Sequence, residues 1–303
     1  MNQGSSLARV QQAGTLLLLA GGAAWFAWQW PSSPGAAVAG LLLCWFGYSL
    51  VLAFEFLVLR LVDGDDSSVR ATWSEIARAW LAETWLNAVI FAWRQPFRWN
   101  AVPDHVPART AAPRRGVVLI HGFACNRGVW TPWLRELQRR GIPFVAVNLE
   151  PAFGPIENYG SIIEDAVQRV TQATGIAPVL LCHSMGGIAA RAWMRARSGE
   201  RRVHHVITIG SPHRGTWFGR YSHAANGRQM AWQCEWLREL GAALPANGGA
   251  LFTCWYSNCD NMVFPVETAT LPGADNRLVR GPAHVELAFH PRVMAESLAI
   301  IER

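Results

Sequence analysis

The 303-residue chain is basic, at a formal net charge of +6, yet all 27 of its basic residues are arginine and they are scattered, which argues against a nucleic-acid surface. Six cysteines in a chain of this length do not make a disulfide framework, and no pair of Cys-x-x-Cys motifs suits zinc. No glycine-rich loop cradles a phosphate either, so neither a metal nor a cofactor is expected.

The 45 residues from Val10 to Phe54 carry no charge, roughly twice the ~20 that one membrane-spanning helix needs. Pro31-Ser32-Ser33-Pro34-Gly35 interrupts the run with a strong turn signal. Residues 1–62 therefore read as two predicted transmembrane helices, 13–30 and 36–59, joined by a tight loop. A cleaved secretory signal is the rival reading. Against it, Trp25, Phe26, Trp28 and Trp30 lack the small-residue character of a cleavage site, and a second apolar stretch follows. Trp28 and Trp30 would sit at one membrane surface, and Glu55 near the end of the second span would reach headgroups or water. Arg9 precedes the first span and Arg60, Arg70 and Arg78 follow the second, whereas the loop has no basic residue. This bias places both ends on the cytoplasmic side of a bacterial inner membrane, which reduced cysteines would suit.

Residues 63–112 join this hairpin to the rest. Thr72-Trp73-Ser74-Glu75 has capping-box spacing, and Trp73, Ile76, Ala77, Trp80, Leu81, Trp85, Ala88 and Val89 recur at helical spacing, with Thr84 the one polar residue in that stripe. The helix over 72–93 either packs on the following domain or lies on the bilayer with its tryptophans buried. Residues 100–115, with Pro103, Pro107 and Pro113, read as a linker.

From 113 to 303 the pattern is α/β. Val117–Ile120, 143–147, Val179–Cys182, Val206–Ile209 and Leu251–Tyr256 are apolar strands separated by helical stretches, which calls for a mainly parallel sheet. The first strand runs into His121-Gly122-Phe123. The third ends in Cys182-His183-Ser184-Met185-Gly186-Gly187 and turns at once into a helix, the pattern of a nucleophile elbow in which a sharp turn lifts the Ser184 hydroxyl clear of the sheet. Cys182 stands where the pattern has its first glycine. The stretch 217–250 is too long for a simple connection and is rich in aromatic residues, so it reads as a cap. Asp260 follows the fifth strand and His284 follows in turn, completing the order Ser, Asp, His. Glu267 and Asp275 compete with Asp260, and His290 with His284. His121 and His213 are read as structural.

These motifs, with Thr208-Ile209-Gly210-Ser211-Pro212-His213-Arg214-Gly215-Thr216 and the Pro265 after Asp260, resemble the lipase and esterase branch of the α/β-hydrolase superfamily, near bacterial triacylglycerol lipases and the related inositol-deacylase-like hydrolases. The resemblance covers 113–303 and does not extend to residues 1–100. It implies an α/β-hydrolase fold and a serine hydrolase that cleaves carboxylic, lipid-like esters through an acyl-enzyme on Ser184. His284 would serve as general base, Asp260 as its orienting acid, and the backbone N–H groups of Phe123 and Met185 as the oxyanion hole. An acyltransferase using the same triad is the alternative, and a non-catalytic membrane scaffold a third class. Acyl-chain preference and oligomeric state are not legible in the sequence.

Overall fold

A computed structural model describes residues 4–63, 69–106, 114–197, 202–244 and 247–303. Pro107 and Pro113 of the expected linker lie outside the described residues.

Six parallel strands form one sheet in the order β2-β1-β3-β4-β5-β6: β1 Val117–Ile120, β2 Phe144–Ala146, β3 Val179–His183, β4 His205–Ile209, β5 Phe252–Ser257 and β6 Asp275–Val279. The inner strands are buried on both faces, which explains why they read as continuous apolar runs rather than alternating ones. Alternate residues divide between two cores. Leu180, Cys182, Val206 and Cys254 meet residues 163–170 and 188–193 on one face, and Leu119, Leu181, Ile207 and Trp255 meet Trp133, Leu137, Val293 and Leu298 on the other. The expected mainly parallel sheet is present. Edge strand β6 was not anticipated, because Asp-Asn-Arg-Leu-Val keeps its first two residues exposed and lacks an apolar run.

The amino-terminal part differs from the expected pair of uniform helices. Helix α1 runs Ser6–Gln29, started by the Ser5 side chain accepting from Ala8 N–H. Helix α2, Pro34–Phe46, opens with proline in its first turn and Ser33 as N-cap. In place of one span over 36–59, α2 gives way at Gly47 to α3, Tyr48–Val62, and the two are bent by 56°. Among the described residues no single helix is long and apolar enough to cross a membrane, and this bent pair meets that requirement by length and composition alone. Leu52, Phe56 and Leu59 form a buried stripe on α3, and Phe56 and Leu59 cluster with Cys259, Phe264 and Ala283 of the sheet domain.

Helix α4, Trp73–Val89, carries the expected capping box. A π-helical turn, Ile90–Arg94, and a short turn α5, Gln95–Phe97, prolong it. The expected apolar stripe is not the buried face: of its members Ile76 is buried and Trp80, Ala88 and Val89 are half-buried, whereas Trp73, Ala77, Leu81 and Trp85 face outward, and Ala79 and Glu83, outside the stripe, are buried. The buried face holds α3 as well: Trp80 Nε1 donates to Ser49 O (2.8 Å) and Tyr48 Oη to Thr84 O (2.7 Å).

The remaining helices are α6 Thr131–Arg139, α7 Gly160–Thr174, α8 Met185–Ala196, α9 Ala225–Gln229, α10 Glu235–Ala242, α11 His284–Leu287 and α12 Pro291–Ile301. Helices α9 and α10 occupy the stretch read as a cap.

Candidate active site

Ser184 lies between the end of β3 and the first residue of α8, at φ +54° and ψ −127°. A non-glycine residue there is strained, and only fixed surroundings hold it. Those surroundings are tight. A side chain on Gly186 would come within 2.3 Å of Ile120 O, and one on Gly122 within 2.7 Å of Ser184 Cβ. Small residues at both positions therefore let the His121–Phe123 loop lie directly against the serine.

Asp260, buried at the end of β5, accepts backbone N–H bonds on Oδ1 from Met262 (3.0 Å) and Val263 (2.8 Å), and its carboxylate accepts from His284 Nδ1 at 2.8 and 2.9 Å. Ser184 N–H donates to Ile209 O, and the next residue, Gly210, backs onto Asp260 Oδ2 and His284 Nδ1. The His183 ring lies 4.7 Å from that of His284 and its Nε2–H donates to His284 O (3.2 Å). Asp260, after β5, and His284, after β6, are thus joined directly, and Ser184, after β3, is tied to them through Ile209–Gly210 and the His183 ring, on the carboxyl side of the sheet where open α/β sheets place their ligands.

Electrostatics separates the three histidines. Burial pushes His183 down to about 3 and His121 down to about 4, so both are neutral at neutral pH. Burial opposes the charged form of His284 too, but the Asp260 carboxylate outweighs it and raises His284 above its ordinary value.

His121 has a definite job. Leu149 N–H donates to its Nε2 (3.0 Å), so its Nδ1 carries the proton and donates to Gly122 O (2.9 Å). In a trans peptide the C=O and N–H point oppositely, so this bond turns the Phe123 N–H the other way. Met185 N–H is one of the first-turn donors of α8 that have no acceptor within the helix. His213, also read as structural, is buried with Nε2 at 3.0 Å from Thr208 Oγ1.

The rival acids are not brought to this place: Glu267 is exposed, and Asp275 lies on β6 paired with Arg277 at 2.6 Å. Residues that sequence reasoning missed are the side chains that tie the two loops together. Asn258 Oδ1 accepts from Gly281 N–H (2.8 Å) and Asn261 Oδ1 from His284 N–H (3.2 Å). Asn261 in turn donates to Glu55 of α3 (2.7 Å), so Glu55 does not face headgroups or water but the loop beside Asp260. Glu83 of α4 accepts from Val285 and Glu286 N–H. The one available signal was an acid within a largely apolar helix.

A family model, described as alpha/beta hydrolase family, matches residues 117–295. The chain belongs to the alpha/beta hydrolase family. Among curated relatives of this hydrolase is a triacylglycerol lipase of Burkholderia plantarii, 35% identical over 132 residues, which are 40% of this chain and 36% of that protein. A triacylglycerol lipase of Pseudarthrobacter phenanthrenivorans is 34% identical over 121 residues, 37% of each chain. The alignments thus span little more than a third of the curated relatives' own length. Among solved structures, the mature Bacillus licheniformis lipase BlEst2 superposes with a TM-score of 0.55 at 15% identity, covering 67% of this hydrolase and 96% of that chain. Aspergillus fumigatus lipase B superposes with 0.55 at 18% identity, covering 68% and 57%. At such identities the likeness is one of fold.

Proposed function

We propose that this hydrolase is a membrane-anchored serine esterase or lipase that cleaves lipid-like carboxylic esters. The observation that carries the reading is the His284–Asp260 pair at 2.8 Å, set beside a serine held at the strained elbow. A hydroxyl is a weak nucleophile at neutral pH, so His284 Nε2 takes the Ser184 proton as Oγ attacks the acyl carbonyl, then returns it to the leaving alcohol. Asp260 fixes the tautomer with Nδ1 protonated and stabilises the imidazolium. The oxyanion is held by Phe123 and Met185 N–H, each worth roughly 3 to 4 kcal/mol in the transition state. Water then releases the acid. The two relatives that bear the name triacylglycerol lipase support an ester substrate.

The anchor is part of the same proposal. Leu16 to Leu19 and Trp28 on α1, Trp30 in the turn after it, and Leu42, Leu43 and Phe46 on α2 are all exposed, the kind of apolar surface that marks contact with a membrane or a partner. We place it in a bacterial inner membrane with the hydrolase on the cytoplasmic side. A fluorophosphonate probe should label Ser184 in the full-length protein in detergent, and Ser184→Ala should abolish both labelling and release of free acid. Labelling that persists in that variant would overturn the assignment.

A further inference from the structure

Glu83 is 1% exposed, on the side of α4 that also buries Ile76 and Ala79. Among the described residues it has no cationic partner within ion-pairing distance. Burying a carboxylate without one costs several kcal/mol unless hydrogen bonds compensate, and an apolar residue would fill this helix face at no such cost. Its two oxygens take up two specific bonds instead: Oε1 accepts from Val285 N–H (3.0 Å) and Oε2 from Glu286 N–H (3.2 Å), the two residues that follow His284. Both oxygens are thereby occupied as acceptors of the turn's backbone N–H groups.

The rest of α4 grips the same turn. Arg78 donates to Gly281 O (2.6 Å) and pairs with Glu286 (2.8 Å), and Glu75 pairs with Arg280 (3.1 Å). From α3, Glu55 reaches the turn through Asn261, which accepts from His284 N–H. Helices α3 and α4 precede residue 117, where the family match begins, so this grip comes from outside the family-matched part of the chain.

We infer that Glu83 is a positioning residue for His284: it fixes the backbone that carries the imidazole and sets a negative charge beside it, making the segment that follows the membrane hairpin part of the hydrolase's working site. This rests on the proposed role of His284 as general base. The ionisable groups around the turn are Glu75, Arg78 and Glu83 on α4, Glu55 on α3, and His183, Cys259, Asp260, Arg280, Glu286 and His290 on the sheet domain. Burial raises Glu83 to about 7, with the Val285 N–H and His284 working against that rise. Ionised Glu83 favours the imidazolium, so removing its charge lowers the pH at which His284 loses its proton.

The test is the pH profile of kcat/KM on a soluble ester, with full-length protein in detergent micelles. Glu83→Gln should lower the plateau on the order of tenfold through loosened positioning, and move the acid-limb midpoint down by about half a pH unit or more. An unmoved midpoint, whatever the plateau, would overturn the inference. Glu83→Asp keeps the charge and shortens the reach, so it should lower kcat while leaving the midpoint in place; unaltered kcat there would overturn the positioning role even where the glutamine variant does not fold. Ser184-dependent labelling of the wild type is scored separately, so failure of the serine-hydrolase reading is distinguishable from failure of the role given to Glu83.

Discussion

Asp260 serves two partners through one carboxylate, because Oδ1 organises its own loop by taking the Met262 and Val263 N–H groups while both oxygens face His284 Nδ1. An asparagine keeps a carbonyl oxygen for the loop but offers the imidazole an NH2 group, which selects the wrong tautomer. Asp260→Asn should therefore leave the protein folded and lower kcat by about 10⁴, as read from turnover on a soluble ester beside a circular-dichroism melt. Glu267→Gln and Asp275→Asn, at exposed positions, should stay near wild type. A severe loss in either, with normal turnover in Asp260→Asn, would transfer the role.

At the scale of elements, α3 shows how one apolar helix can serve two environments. Leu52, Phe56 and Leu59 recur at helical spacing and are buried, while Leu50, Val51, Phe54, Leu57 and Leu61 are exposed. Phe56 and Leu59 of that stripe belong to one cluster with Cys259, Phe264 and Ala283, so the loop that presents Asp260 and the turn that presents His284 share their packing with α3. Phe56→Ala should cost roughly 3 to 5 kcal/mol of stability, the usual range for emptying a fully buried aromatic site, and activity should fall with it. Phe54→Ala, on the exposed side, should change stability by no more than about 0.5 kcal/mol. Denaturant midpoints of the two variants in the same micelles check the contrast, and equal losses would contradict it.

For the whole molecule, the amino-terminal segment meets the sheet domain at two places: at the start of α1, where Ser6 donates to Glu150 (2.6 Å) and Gln11 to Ala124 O (3.4 Å), and through α3 and α4 at the loops of Asp260 and His284. Helices α1 and α2 pack on each other, with Trp25 donating to Ala36 O and lying against Gly40, and present leucines and tryptophans outward. Helices α3 and α4 hold the loops of the sheet domain. Deleting residues 1–47 should end retention of the protein in membranes after alkaline washing and lower, without abolishing, hydrolysis of a soluble ester, because the Gln11 bond to Ala124 O beside Phe123 goes with it. Deleting residues 1–62 should abolish activity too, because Phe56, Leu59 and Glu55 go with it. Cysteine labelling at Ser33→Cys, in a background lacking the other cysteines, should report the side opposite the cytoplasm. Full-length protein recovered in the soluble fraction with a mature terminus beyond residue 30 would establish a cleaved signal instead.

The strained turn at Ser184 and the strands around it were legible because they depend on local rules: a buried parallel strand needs a continuous apolar run, and a strained turn needs small neighbours. The capping box of α4 was legible for the same reason, since its bonds close within four residues. Strand β6 was not, because an edge strand with exposed residues has no apolar signature. Nor could sequence decide which face of α4 turns inward or that Glu55 meets Asn261, 206 positions away. Apolar residues on an amphipathic helix look alike whether they meet protein or lipid, and a buried acid is recognisable only once its backbone donors are in place. Those choices belong to tertiary packing, which brought Glu55 and Glu83 to the loops of Asp260 and His284.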